Sequence, residues 1–243
     1  MGRLRRTLGR RLDARRSHLA DMDDTFWPLY TQCREYTMTS PERLYALYKA
    51  AEYISAVGIR GDVVECGVWR GGSSMMAALA FSRSGASDRR FFLYDTFSGM
   101  SEPTVEDGQV AHREWAKRER QEFNTWCYSP VEEVRRNMRA TGLPDAAVVL
   151  VKGKVEDTLP ETAPGEIALL RLDTDWYEST KHTLEHLFPR LTEGGVLIVD
   201  DYGYWEGARR AVDEYMTSHG IPSLLHRVDR TGRVAVRQHL DAR

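Results

Sequence analysis

The chain reads as an α/β protein: a doubly wound, mostly parallel sheet with an antiparallel edge hairpin at its C-terminal end and a helical cover at its N-terminal end. Three observations predict this. Runs of β-branched and aromatic residues recur at 62–66, 90–95, 147–151, 167–172 and 195–200, each separated from the next by helix-forming sequence. Two of those runs close on acids, Asp173 with Asp175 and Asp200 with Asp201. Finally, two short β-like runs, 224–228 and 233–236, flank Asp229-Arg230-Thr231-Gly232, a hairpin turn by composition.

Taken in order, the N-terminal MGRLRRTLGRRLDARR is arginine-rich without the apolar core of a secretory signal. Its Leu4, Leu8 and Leu12 fall at helical spacing, so it is expected to be a basic arm, available for oligomer contacts. Pro28 argues against one continuous helix through 17–40, and Thr39 or Ser40, ahead of Pro41, opens a helix over roughly 41–57 with Leu44, Leu47, Tyr48, Ala51 and Ile54 on one face. Residues 1–40 are expected to be arm and cover, and 41–243 the main domain.

The run DVVEC ends at Gly67, and Gly71-Gly72-Ser73-Ser74 opens a helix that Gly85 stops. Strand, glycine turn and helix start let a ligand approach backbone N–H groups, and Glu65 can accept from a cofactor's amine or hydroxyl. Neither GxGxxG nor a P-loop is present. Asp95, ending the second strand, stands where a ribose would be held, or else serves the turn that follows.

Residues 101–130 are polar and irregular, with a helical piece near 111–122, and are expected to form a lid over substrate. Its Trp115, Trp126 and Tyr128 would contact substrate or anchor the insertion, and its sole histidine, His112, is a minor catalytic candidate. After the third strand, Val155 and Glu156 lie in the loop that borders a nucleoside base.

Composition excludes several classes. The formal charge of −2 gives no general case for nucleic acid, and no apolar run approaches the roughly 20 residues of a membrane span. Cys33, Cys66 and Cys127 are too far apart for a CxxC site, which fits a reduced, cytoplasmic setting. An isolated aspartate at a strand end most often caps the next helix. Four on adjacent strand ends would repel one another without a cation, which favours a metal site. His182 and His186, one helical turn apart without an HExxH context, read as packing or surface residues.

Four blocks, DVVECGVWRGGSS, LYDTFSGM, LRLDTDWYEST and LFPRLTEGGVLIVDDYGYWEGARRAVDEY, resemble the macrocin O-methyltransferase family of TylF/MycF-type enzymes. The resemblance covers roughly residues 36–215, with the blocks in matching order and spacing. It implies a Rossmann-like class I methyltransferase that uses S-adenosylmethionine and Mg²⁺ to methylate a sugar hydroxyl on a glycosylated natural product. By that resemblance Asp173, Asp200 and Asp201 are metal ligands and Asp175 is the general base. Glu65, Gly67, Asp95 and Ser98 match cofactor-contacting positions, and Tyr36 and Thr37 match the segment that closes over the cofactor. Three carboxylates leave about three magnesium positions for water and substrate hydroxyls. Asp175 would share a face with Asp173 if strand geometry persists beyond 172. The alternatives are a cephalosporin-hydroxylase-like tailoring enzyme and a binding protein that keeps the cofactor fold.

Overall fold

In the computed structural model, which describes residues 19–86, 88–222 and 224–239, the alternation resolves into one seven-stranded sheet. The basic arm with Leu4, Leu8 and Leu12 lies outside the described residues. The strands are β1 (Asp62–Cys66), β2 (Phe91–Asp95), β3 (Val148–Lys152), β4 (Ile167–Leu172), β5 (Leu191–Val199), β6 (His226–Arg227) and β7 (Arg233–Val236), in the order β3-β2-β1-β4-β5-β7-β6. Strands β1 to β5 are parallel, and β7 runs antiparallel to β5 and to β6. The chain winds outward from β1 to β3 and then returns to lay β4 against the other side of β1. That reversal opens a crevice at the carboxyl ends of β1 and β4, where open α/β sheets take their ligands.

Helices cover both faces: α1 (Phe26–Cys33), α2 (Pro41–Val57), α3 (Gly72–Arg83), α4 (Gly108–Ala116), α5 (Val131–Arg139), α6 (Val155–Thr158), α7 (Tyr177–Leu187) and α8 (Glu206–Ser218). Strand side chains alternate between two cores. Val63, Leu93, Leu169 and Ile198 meet Leu44, Ile54, Met76 and Met138 on one face. Val64, Phe92, Leu170 and Leu197 meet Leu184, Leu187 and Val212 on the other.

Local chemistry sets the boundaries. The Ser40 hydroxyl accepts the Arg43 N–H at 3.2 Å with Pro41 in the first turn, and Gly58, at φ +75°, closes α2. Pro28 sits in the first turn of α1, where its missing N–H costs nothing, so the helix starts at Phe26. The insertion helix is shorter than expected. It ends at Ala116 because the chain must double back for Asn124 to reach the insertion's base, its N–H on Ser98 O at 2.8 Å and its amide on Trp115 O at 3.1 Å. Strand β5 starts earlier than 195, since Leu191 already pairs with Ile167 before an irregularity in the register.

Candidate active site

The crevice is a cleft of about 340 Å³ walled from several parts of the chain. Thr37, Met38, Thr39 and Arg43 come from the N-terminal side; Glu65 to Trp69 and Ser73 from β1 and its turn; Asp95, Thr96, Gly153 and Val155 from the β2 and β3 ends. Asp173, Asp175, Asp200 and Asp201 close it from the ends of β4 and β5.

Gly67 joins the two halves. It is at φ +84°, and a Cβ there would lie 2.0 Å from the Asp173 carbonyl oxygen, so only glycine lets the β1 turn approach the β4 end this closely. The Asp173 N–H donates to Cys66 O at 2.8 Å and the Asp200 N–H to Leu172 O at 2.9 Å, so the strand ladder continues one residue into the acids.

Asp175 departs from the sequence expectation. Strand geometry stops at Leu172, and Asp175 takes a left-handed conformation, φ +66°. The turn nevertheless brings it to the cluster. Carboxylate oxygens of Asp173, Asp175 and Asp201 lie within 4.8 Å of one another. Burial and then the Asp173 charge push the Asp175 carboxyl up to about 7. Burial and neighbouring aspartates also raise Asp173 and Asp201 well above the ordinary carboxylate range.

Asp200 is held differently. Its Oδ2 is 2.5 Å from Arg43 and 2.9 Å from Arg171, while its Oδ1 is buried without a hydrogen-bond partner. These arginines were not among the residues the sequence reading selected. A signal existed for Arg171, a cation in the otherwise apolar run IALLRL, and a charge there requires buried partners. Arg171 pairs in register with Glu65 across β1 and β4, at 2.5 Å, and also reaches Asp173 at 2.9 Å. Burial opposes its charge, and the carboxylates of Asp173, Asp200 and Glu65 outweigh that, holding it firmly protonated.

On the other half, Glu65 is 3 % exposed and accepts from the Ser74 hydroxyl as well as from Arg171. Asp95 accepts three backbone N–H groups, Val68 at 2.7 Å, Trp69 at 3.0 Å and Phe97 at 2.7 Å. Trp69 and Phe97 sit at φ +47° and +51°, so Asp95 stabilises both turns in otherwise unfavourable conformations. Asp95 therefore organises both turns, and it also lines the cleft.

Thr37, Val155 and Glu156 line the cleft, but Tyr36 and Ser98 do not. Tyr36 packs its ring 5.1 Å from the Arg70 guanidinium, and its backbone crowds Gly72 at the start of α3. Ser98 borders a neighbouring surface groove with Trp115 and Phe123. His112 is also outside the cleft, its Nε2 2.9 Å from Thr104 O. Of the insertion's aromatics, Trp126 lines the cleft and packs against Trp176 and Trp205 at 5.8 and 6.0 Å. Trp115 instead anchors the insertion through its indole N–H on Met100 O, and Tyr128 packs on Phe123. Among the described residues no helix is long and apolar enough to cross a membrane.

Residues 10–237 match the macrocin-O-methyltransferase (TylF) family. The chain is 40% identical over 197 residues to the 8-demethyl-8-(2,3-dimethoxy-alpha-L-rhamnosyl)-tetracenomycin-C 4'-O-methyltransferase of Streptomyces olivaceus, covering 81% of this chain and 74% of that one. It is 36% identical over 200 residues to the mycinamicin III 3''-O-methyltransferase of Micromonospora griseorubida, covering 81% and 76%. Among solved structures it resembles the O-methyltransferase NovP, with a TM-score of 0.75 and 34% identity over 84% of this chain and 83% of that one.

Proposed function

This chain belongs to the macrocin-O-methyltransferase (TylF) family of O-methyltransferases, and from that premise we propose that it methylates a sugar hydroxyl of a glycosylated natural product, using S-adenosylmethionine and a divalent cation such as Mg²⁺. The named activity of the Streptomyces olivaceus relative, on a rhamnosyl-bearing tetracenomycin, supports the acceptor class. The observation that carries the reading is the convergence of four aspartates on the cleft that Glu65, Gly67 and Asp95 also line.

The residues fit both groups. For the cation, Asp173, Asp200 and Asp201 are the hard oxygen donors that magnesium prefers, and the unpartnered Asp200 Oδ1 is the kind of buried atom that a cation would satisfy. For the cofactor, Gly67 lines the cleft at the β1 turn, Glu65 and Asp95 offer acceptors for its polar groups, and Thr37, Val155 and Glu156 border the remaining wall. When bound, S-adenosylmethionine supplies a sulfonium methyl and the cation lowers the pKa of a chelated hydroxyl.

The chain's own residues then divide the work. Asp175 would be the general base, placed to take the acceptor hydroxyl's proton as the methyl passes from sulfur to that oxygen and S-adenosylhomocysteine leaves. Burial makes it a stronger proton acceptor than a solvated carboxylate, its carboxyl standing at about 7 before any cation is bound. Trp126, Trp205 and Tyr204 wall the side of the cleft beside Asp201 and would exclude water around the acceptor. Both Oδ2 contacts of Asp200 with arginine leave Oδ1 as its one unengaged oxygen.

Incubating the purified protein with S-adenosylmethionine, Mg²⁺ and a panel of rhamnosylated and other glycosylated natural products is expected to add the mass of one methyl group to at least one of them. EDTA is expected to abolish that gain and Mg²⁺ to restore it. Methylation indifferent to EDTA would remove the metal from the mechanism.

A further inference from the structure

The Arg171 guanidinium forms ion pairs with carboxylates on both halves of the site. Its Nη1 is 2.5 Å from Glu65 Oε1, on the half assigned to the cofactor. Its Nη2 is 2.9 Å from Asp173 Oδ2 and 2.9 Å from Asp200 Oδ2, on the half assigned to the cation. The same Nη2 is 3.2 Å from the Thr39 hydroxyl, which in turn is 3.3 Å from Ser73 at the start of α3. Nη2 carries two hydrogens against three oxygen neighbours, so these contacts compete. The side chain is 4 % exposed, and water cannot take the place of a lost partner.

A planar guanidinium has a rigid fork, so its two arms cannot move independently. Held on Glu65 by Nη1, it offers the aspartates a single nitrogen and leaves them short of positive charge. Released from Glu65, it could turn both arms on Asp173 and Asp200 and neutralise them. Whatever fixes Glu65 therefore favours a cation at the aspartates, and a cation there repels the guanidinium back towards Glu65. We infer that Arg171 couples the two ligands, so that cofactor and divalent cation bind with positive cooperativity.

Arg43 supplies an internal contrast. It also reaches Asp200, at 2.5 Å, but its other ion pair is with Asp229 in the hairpin turn, and neither an ion pair nor a hydrogen bond joins it to Glu65. It acts on the cation half alone.

The inference rests on the proposed use of S-adenosylmethionine and Mg²⁺, and the test separates the two. Mg²⁺ is titrated calorimetrically into the full chain alone and into the chain saturated with S-adenosylhomocysteine. The expected result is at least about fivefold tighter Mg²⁺ binding in the second case, the lower end of ordinary coupling. Linkage requires the same factor for S-adenosylhomocysteine with and without Mg²⁺. In Arg171→Lys, which keeps the charge but loses the fork, the factor is expected to fall to about one. In Arg43→Gln, which removes a competing positive charge from Asp200, Mg²⁺ binding is expected to tighten while the factor survives. Two ligands that bind wild-type protein independently would overturn the coupling, as would full coupling in Arg171→Lys; the wild-type titrations decide even if that variant folds poorly. Absence of binding by either ligand would instead overturn the methyl-transfer reading, and the coupling with it.

Discussion

Asp175 is defined by its backbone as much as by its carboxyl. A left-handed conformation at φ +66° is unfavourable for most side chains, yet aspartate and asparagine tolerate it. Asp175→Asn is therefore expected to keep the turn, and with it the placement of Asp173. The expected outcome is unchanged affinity for Mg²⁺ and S-adenosylhomocysteine with turnover down about 10²- to 10⁴-fold, the usual range for losing a general base. Calorimetry beside a turnover assay checks both halves: lost Mg²⁺ affinity would make Asp175 a ligand, and full turnover would remove it as base. The acid pattern was legible in the sequence because strand ends and carboxylates coincide. The turn at Asp175 was not, since nothing in DTDWYEST marks where the β4 ladder stops. Arg43 was illegible for a different reason, since its partners Asp200 and Asp229 lie 157 and 186 residues away.

At the scale of elements, the insertion is fastened to the helix that follows the turn carrying Asp175. Asp107, 7 % exposed, accepts the Tyr177 N–H at 2.6 Å on one oxygen, and the Thr104 N–H and hydroxyl at 2.8 and 3.1 Å on the other. It therefore caps α7 from 70 residues away, and Gly207 is small because a Cβ there would lie 2.1 Å from the Asp107 oxygen. Asp107→Ala strands a buried N–H and is expected to cost about 1–2 kcal/mol. For a chain of this size that lowers the melting temperature by about 2–4 °C per kcal/mol, which a thermal melt resolves. An unshifted melt would show that the cap contributes nothing. Sequence reading could recognise that 101–130 interrupts the sheet pattern, but the contact between Asp107 and Tyr177 exists only once the fold has brought α7 alongside.

Across the whole molecule, the two-sided core follows from features that repeat along the chain: apolar runs buried on both faces, helix-forming spacers and one hairpin turn. Such repeated signals survive an error at any one position, which is why the fold was more readable than the site. The buried acids also impose a pH dependence. Asp175 has a folded value of about 7 against an ordinary 3.8, so between these the folded chain keeps a proton that the unfolded chain has released. Its contribution to stability is then fully present below about 4 and lost as pH rises through about 7. Asp173 and Asp201 are shifted in the same direction. In EDTA, the melting temperature is expected to fall from pH 5 to pH 8, less steeply in Asp175→Asn, and Mg²⁺ is expected to recover the loss at the upper end. A melting temperature that rises over that interval would contradict the buried-acid account.

The contact between Asp107 and Tyr177 has a neighbour, since the Trp176 indole N–H donates to Ser101 O at 2.9 Å. Together they make the first residues of the insertion mechanically continuous with the turn that carries Asp175. Anyone redirecting this enzyme to new acceptors therefore has two kinds of territory in one loop. Changes at 101–107, and at Trp126 where it packs on Trp176, are expected to alter selectivity and rate together, whereas residues around Phe123, in the neighbouring groove, can be varied with the turn at Asp175 left intact.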